Sequence, residues 1–355
     1  MNGKINQIQF LSLFIIIIMS SFLGIGIFSV IKSSESSALL SLIMSGVFGL
    51  GLIYIFITIF NYEQDLNFFQ KINKLFGNLL GKIINLFFIL STLIIGVVMM
   101  YNLTQFITSQ FLQSTPIVVV GGAFILLIGY AGTKNIETLS RISLILTVIN
   151  IFLFFFAFLN LLFQVDINNF LPISTNVKKP LMGGIYPLLL NILPCFLLLC
   201  IPKNKINNSY TLNKNIFKTY GFVIFLMCCV IFGVIGVLGI DLAKIYQYPE
   251  YMVLKRVNYF NFLDRIENLV NIQWIFGLFF CLTMIIYFIK TFDTKKRISN
   301  QKWFPILLIT IIFVLSIVLF PNISVFNNYI YKLAIYHRVI SFILIIIIGI
   351  KIKLN

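Results

Sequence analysis

Ten apolar runs, most of them long enough to cross a lipid bilayer, decide what this chain can be. They cover roughly 8–31, 37–60, 83–111, 116–133, 142–164, 183–201, 216–240, 268–289, 303–320 and 329–350. A helix rises about 1.5 Å per residue, so about 20 residues cross the ~30 Å of hydrocarbon in a bilayer. The segments between the runs are too short to build a water-soluble domain. With 60% hydrophobic and 10% charged residues among 355, the chain has too little polar surface to dissolve as a globule. The sequence therefore predicts an all-α polytopic membrane protein with a single transmembrane domain, 1–355. The third run is long for a bilayer and is expected to tilt or to extend beyond it. The first run is too long for a signal peptide, lacks a small-residue cleavage site and leads straight into further spans, so it is expected to stay in place.

The net charge of +16 does not point to nucleic acid, because Lys and Arg are scattered through short loops. They are denser in the loops that would share a side with both termini, as in "KNK" (203–205) and "KTFDTKKR" (290–297). By the positive-inside rule both termini are expected in the cytoplasm. Two longer segments then face outward. Residues 165–182 read as a loop carrying a short surface helix. Residues 241–267 mix aromatic, apolar and charged side chains and read as an amphipathic segment along the interface. Cys195, Cys200, Cys228, Cys229 and Cys281 all sit in apolar stretches, which fits neither a disulfide framework nor a thiolate metal site.

Two runs carry interruptions. In "SSFLGIGIFSV" (20–30), Gly24 and Gly26 flank one isoleucine where a spanning helix should be most regular, and glycine costs up to about 1 kcal/mol in a helix interior. In "GGIYPLLLNILPCFLLLCIP" (183–202), Pro194 removes an amide donor near the middle, beside Asn191 and Cys195. Spans one and six run in opposite directions. Their breaks would fall at matching places in two five-span halves, about 8–164 and 183–350, as in an inverted-repeat transporter. Unwound backbone at that depth is tolerated where it lines a cavity or is buried in protein. Freed amides suit a carboxylate and freed carbonyls an ammonium group, and an amino acid has both. The competing explanation is close helix packing by small residues, the role expected of Gly233, Gly236 and Gly239 in "FGVIGVLGI".

Other polar groups add less. Asp and Glu fall in loops or at span ends, which argues against a proton relay inside the bundle. His337 and Arg338, in "IYHRVIS", enter the outer part of the bilayer, either as a gate or anion contact facing the bundle or, as the sequence favours, with the Arg snorkelling to headgroups. Thr283 and Tyr287 stand one turn apart on span eight, and Ser91, Thr92, Tyr101 and Asn102 lie on span three; any could line a cavity or bond its own backbone. Glu137 and Arg141 can pair at i,i+4, while Asp264, Arg265, Glu267 and Trp274 read as charge pairing and anchoring at the interface. No nucleophile–base pair, metal-ligand set or phosphate loop is present in the sequence, so neither an enzyme nor a cofactor is expected.

Several stretches, in order, resemble the spore germination permease-like family, the B subunits of nutrient germinant receptors. They are "INQIQFLSLF" leading to "GIGIF" in span one, "STPIVVV" opening span four, "GYAGTKNIETLSR" after it, "FLPI" before span six, "LLLCIPKNK" ending span six and "YFNFLDRIENLVNIQW" entering span eight. The resemblance implies membership of the amino acid–polyamine–organocation superfamily and a leucine-transporter-like fold of ten helices in a 5+5 inverted repeat, with helices 1 and 6 broken. It implies a germinant pocket between those breaks, with Gly24, Ile25 and Gly26 in the first, Pro194, Cys195 and Phe196 in the second, and Thr283 and Tyr287 on the cavity side of span eight. It also implies a larger A-type membrane subunit and a C-type lipoprotein as partners in the spore inner membrane. Where many relatives carry an acidic residue in span six, this chain has Cys195 or Phe196, so the expectation is a less polar amino acid or a different small molecule. The role expected is a sensor; the rival is an amino acid permease.

Overall fold

The computed structural model describes residues 4–171, 178–256, 267–293, 299 and 301–354. The chain opens with a two-residue strand, β1 (Ile5–Asn6), and α1 (Gln7–Ser21), where the Gln9 side chain accepts from the Asn6 amide. A wide π turn over Phe22–Gly26 joins α1 to α2 (Ile27–Ser34), and a tight 3-10 turn at Glu35–Ser37 leads into α3 (Ala38–Asn61). Next come α4 (Phe68–Gln110), α5 (Ile117–Gly132) and α6 (Ile136–Leu162). Span six begins as α7 (Lys178–Tyr186), then passes through a π segment, Pro187–Ile192, and a 3-10 segment, Leu193–Cys200. After β2 (Ile206–Asn207) follow α8 (Leu212–Ile245), α9 (Pro249–Arg256), α10 (Glu267–Lys290), α11 (Trp303–Leu319), α12 (Ile323–Asn328) and α13 (Ala334–Leu354).

Each of the ten apolar runs is helical for most of its length. Among the described residues, seven helical segments are long and apolar enough to cross a membrane; one of them, Gln7–Asn61, takes in two runs, and α5 and α11 are shorter. The chain is thus an all-α, multi-pass membrane protein. α1 packs centrally against α6, α8, α10 and the second half of span six, while α3 packs on α7, α8 and α13. β1 and β2 pair in parallel, tying the start of span one to the exit of span six. The buried Lys71 ammonium donates to the carbonyls of Ile59 (2.8 Å) and Phe60 (3.1 Å), capping the last turn of α3 where carbonyls have no helical partner.

Several expectations need correcting. The long third run continues N-terminally as α4, which breaks at Gly77 (φ +77°, ψ −176°). Gly236 does serve close packing, since its carbonyl accepts from the Asp166 amide (2.9 Å) and the Asn169 side chain (2.7 Å). Gly239 instead interrupts α8 at φ +73°. The segment from 241 does not lie flat along the interface as far as it is described. α9 is drawn into the bundle because Tyr248, Tyr251, Val253 and Leu254 form one apolar surface that is buried against α8 and α10. The pair of Glu137 and Arg141 forms as spaced, and all five cysteines are free. Asp264, Arg265 and the Glu267 side chain lie outside the described residues.

Candidate functional site

Span one leaves the helical path at Leu23 (ψ 132°) and Gly24 (φ +80°) before resuming at Ile25. The left-handed conformation of Gly24 suits glycine, because a Cβ would crowd the backbone. A Cβ there would also lie 2.3 Å from the Trp274 ring and 2.9 Å from the Asn102 amide nitrogen. Gly26 keeps helical dihedrals, but a Cβ on it would stand 2.7 Å from Asn191 Oδ1. That space lets Asn191 approach. Its Nδ2 donates to the Ser21 carbonyl at 2.6 Å, and the Ser21 hydroxyl donates to the Asn191 carbonyl at 3.4 Å. Span six behaves differently. Tyr186, Ile192 and Leu193 keep right-handed helical dihedrals, so its winding changes from π to 3-10 around Pro187 and Pro194 where the sequence suggested unwound backbone.

Around Gly24 gathers an unusual set of buried polar atoms. Both amide atoms of Asn102, Trp274 Nε1, the Tyr248 hydroxyl, Gln273 Oε1 and both carboxylate oxygens of Glu250 are buried without a hydrogen-bond partner among the described residues. Nine in ten buried polar groups in folded proteins are satisfied, so such a concentration makes this region the candidate site. Trp274, 3% exposed, is wedged against Phe106 (centroids 4.1 Å) and Tyr248 (5.6 Å). It is a wall of the site and not the interfacial anchor expected from its sequence position. Glu250 likewise corrects the view that all carboxylates stay outside the bundle. It enters because it occupies the first turn of the in-folded α9. Burial pushes its carboxyl up to about 7, opposed by the smaller pull of its own N–H and that of Gly24. A cavity of about 70 Å³ opens beside Glu250, Gln273 and Trp274, and one of about 30 Å³ adjoins it along α1.

On another side of the break stands Arg338. It lies midway along the Ile323–Leu354 helix and is 6% exposed, which corrects the snorkelling reading. Because that helix starts well before residue 329, Arg338 is carried into the depth of the bundle. It borders one cavity of about 20 Å³ with Ser21, Ile25, Leu190 and His337, and another of about 30 Å³ with Ser91, Thr92, Pro194 and Phe196. Its Nε and His337 Nε2 are buried without partners among the described residues. An intramembrane arginine lacking a carboxylate partner is costly unless it serves an anion.

The residues singled out in the sequence are thus dispersed. Of Gly24, Ile25 and Gly26, Gly24 alone sits in the break, with Leu23, while the other two stand where helical dihedrals resume; Ile25, Pro194, Phe196, His337 and Arg338 border the two small cavities. Cys195 is fully buried and Thr283 donates to its own helix at the Phe279 carbonyl (2.8 Å); with Tyr287 they line none of these cavities. Asn191, Asn102, Trp274 and Glu250 carry more of the site than sequence reasoning gave them. For Asn191 a signal was present, a lone amide beside the proline of a broken span; for Glu250 none was.

A bundle of apolar helices interrupted at a left-handed glycine, with unpartnered polar groups around it, marks a multi-pass membrane protein with a broken central span. The family model described as spore germination protein matches residues 4–325, and the chain belongs to that family. It is also similar to a protein of Bacillus subtilis (strain 168) named for spore germination, YfkT, at 26% identity over 251 residues, 69% of this chain and 67% of that relative.

Proposed function

We propose that this chain is the nutrient-sensing subunit of a spore germinant receptor. It binds a small nutrient, an amino acid in our reading, at the interrupted spans one and six of a ten-helix, 5+5 inverted-repeat bundle. Binding favours one arrangement of the bundle, which is passed to an A-type membrane subunit and a C-type lipoprotein in the spore inner membrane, with both termini of this chain in the cytoplasm. A ligand shifts such an equilibrium only by its differential affinity for the two states. The observation that carries this reading is the Gly24 break, with unpartnered Asn102 and Trp274 against it and Arg338 across Ile25. Arg338 and the freed backbone amides would take the carboxylate, and apolar walls the side chain.

An amino acid permease is the second reading, and the buried Glu250, able to change protonation near neutral pH, favours it. The test is a thermal-shift screen of amino acids on purified protein, followed by uptake of the labelled hit into proteoliposomes. Binding without uptake, lost in Gly24→Leu, is expected of the sensor. Saturable uptake by this chain alone selects the permease, and an unaltered response in Gly24→Leu overturns the placement of the site.

A further inference from the structure

We infer that the cavity beneath α9, bordered by Glu250, Gln273 and Trp274, binds a small organic ammonium ion with an apolar body, at a subsite that adjoins the proposed nutrient pocket across the Trp274 ring, on the side away from Arg338. The two carboxylate oxygens of Glu250 are buried with only the weak pull of its own N–H and that of Gly24, and among the described residues no Lys, Arg or His pairs with them. A buried carboxylate without a cation is among the most expensive arrangements a protein can hold, and an incoming cation relieves it. Gln273 Oε1, also unpartnered, supplies a second acceptor for an ammonium N–H. The indole of Trp274 borders the same space and adds attraction for a cation over its face. The cationic side chains needed for a carboxylate are absent from this wall among the described residues, so the ligand's other end is not acidic.

The remaining walls decide between an organic and an inorganic cation. Beyond those three residues the cavity is lined by apolar side chains, Leu161, Val234 and Val253 among them. A hard inorganic cation would want a shell of several oxygens and gains nothing from such walls, whereas an alkyl chain buries its methylenes against them. The cavity touches the break in span one through Leu23 and the Trp274 ring that packs on Gly24. Occupancy there therefore bears on the same backbone as the nutrient pocket, from the opposite wall.

The chain has two tryptophans, Trp274 and the exposed Trp303, so Trp303→Phe leaves Trp274 as a reporter inside the site. Purified full-length Trp303→Phe protein is titrated with n-butylammonium chloride, with n-butanol and sodium chloride as matched controls, while Trp274 emission is followed. Saturable change with n-butylammonium alone is expected, weaker by at least tenfold for methylammonium and lost by at least tenfold in Glu250→Gln. Equal response to butanol, saturation by sodium, or no saturable change overturns the assignment, as does retained affinity in a folded Glu250→Gln. The selectivity of the Trp303→Phe protein is decisive even if Glu250→Gln does not fold. Since no amino acid is used, this outcome is independent of the nutrient reading.

Discussion

The side chain of Asn191 donates to the main-chain carbonyl of Ser21 at 2.6 Å, so span six is hydrogen-bonded to span one immediately before its break. Within a regular helix that carbonyl would accept from Ile25, four residues on; here the chain widens into a π turn at Phe22–Gly26, and the Asn191 amide adds a bond from the other span. Replacing Asn191 by Ala removes a buried hydrogen bond between the two spans, at about 0.5–1.5 kcal/mol. A lower melting temperature in detergent is expected for Asn191→Ala, with a weakened nutrient-induced shift. An unchanged melting temperature would mean that the two spans do not depend on this contact.

Gly26 and Gly51 offer a matched pair. A Cβ on Gly26 meets Phe22 and Asn191 within 3 Å, whereas one on Gly51, also helical, meets nothing within 4 Å. Gly26→Ala is expected to lower stability. Gly51→Ala should be neutral or stabilising by up to about 1 kcal/mol, as alanine is the better helix former. Thermal unfolding of both variants separates packing at the break from a general intolerance of larger residues in membrane helices.

Arg338 is a charged side chain buried within the bundle. Arg338→Met keeps the stem's bulk and removes a buried charge lacking a carboxylate partner among the described residues, so its melting temperature should equal or exceed that of the parent protein. Binding of any nutrient that carries a carboxylate should fall by at least tenfold, measured by calorimetry on the same preparation.

Glu250 makes a pH-dependent contribution whose sign is fixed. Its folded carboxyl, near 7, holds a proton more tightly than the ordinary 4.5 of the unfolded chain. Between those values the folded state binds more protons, so this group's contribution to stability falls as pH rises from about 4.5 to about 7 and stays low above that. The melting temperature of the ligand-free protein should therefore drop from pH 5 to pH 8 by more than that of Glu250→Gln. Parallel pH profiles for the two proteins would show that the carboxylate is not buried in solution.

Much of this architecture could be read from hydropathy. The ten runs, the break at Gly24 and the Glu137–Arg141 pair depend on local patterns of length, flexibility and helical spacing, and each stands as a sequence property. Depth and facing do not. Hydropathy indicates that residues 329–350 are long enough to span but not which way Arg338 turns, because that depends on which neighbours pack around α13. The charged segment at 241–256 looks like surface until the aromatic face of α9 finds α8 and α10 beneath it, and Glu250 is carried in as a passenger. Pro194 foretold an irregular helix, yet with its neighbours fully buried the backbone tightens into a 3-10 segment and stays helical.

The short ribbon between Ile5–Asn6 and Ile206–Asn207 has a mechanical consequence. It staples the starting end of span one to the finishing end of span six, so those two arms are yoked at their tips. A rearrangement that parted them would first have to tear main-chain bonds at the ribbon. One that swings them together, pivoting at Gly24 and at the coil change after Tyr186, leaves the staple whole. The ribbon therefore favours travel of the two arms as one body over any motion that separates their tips.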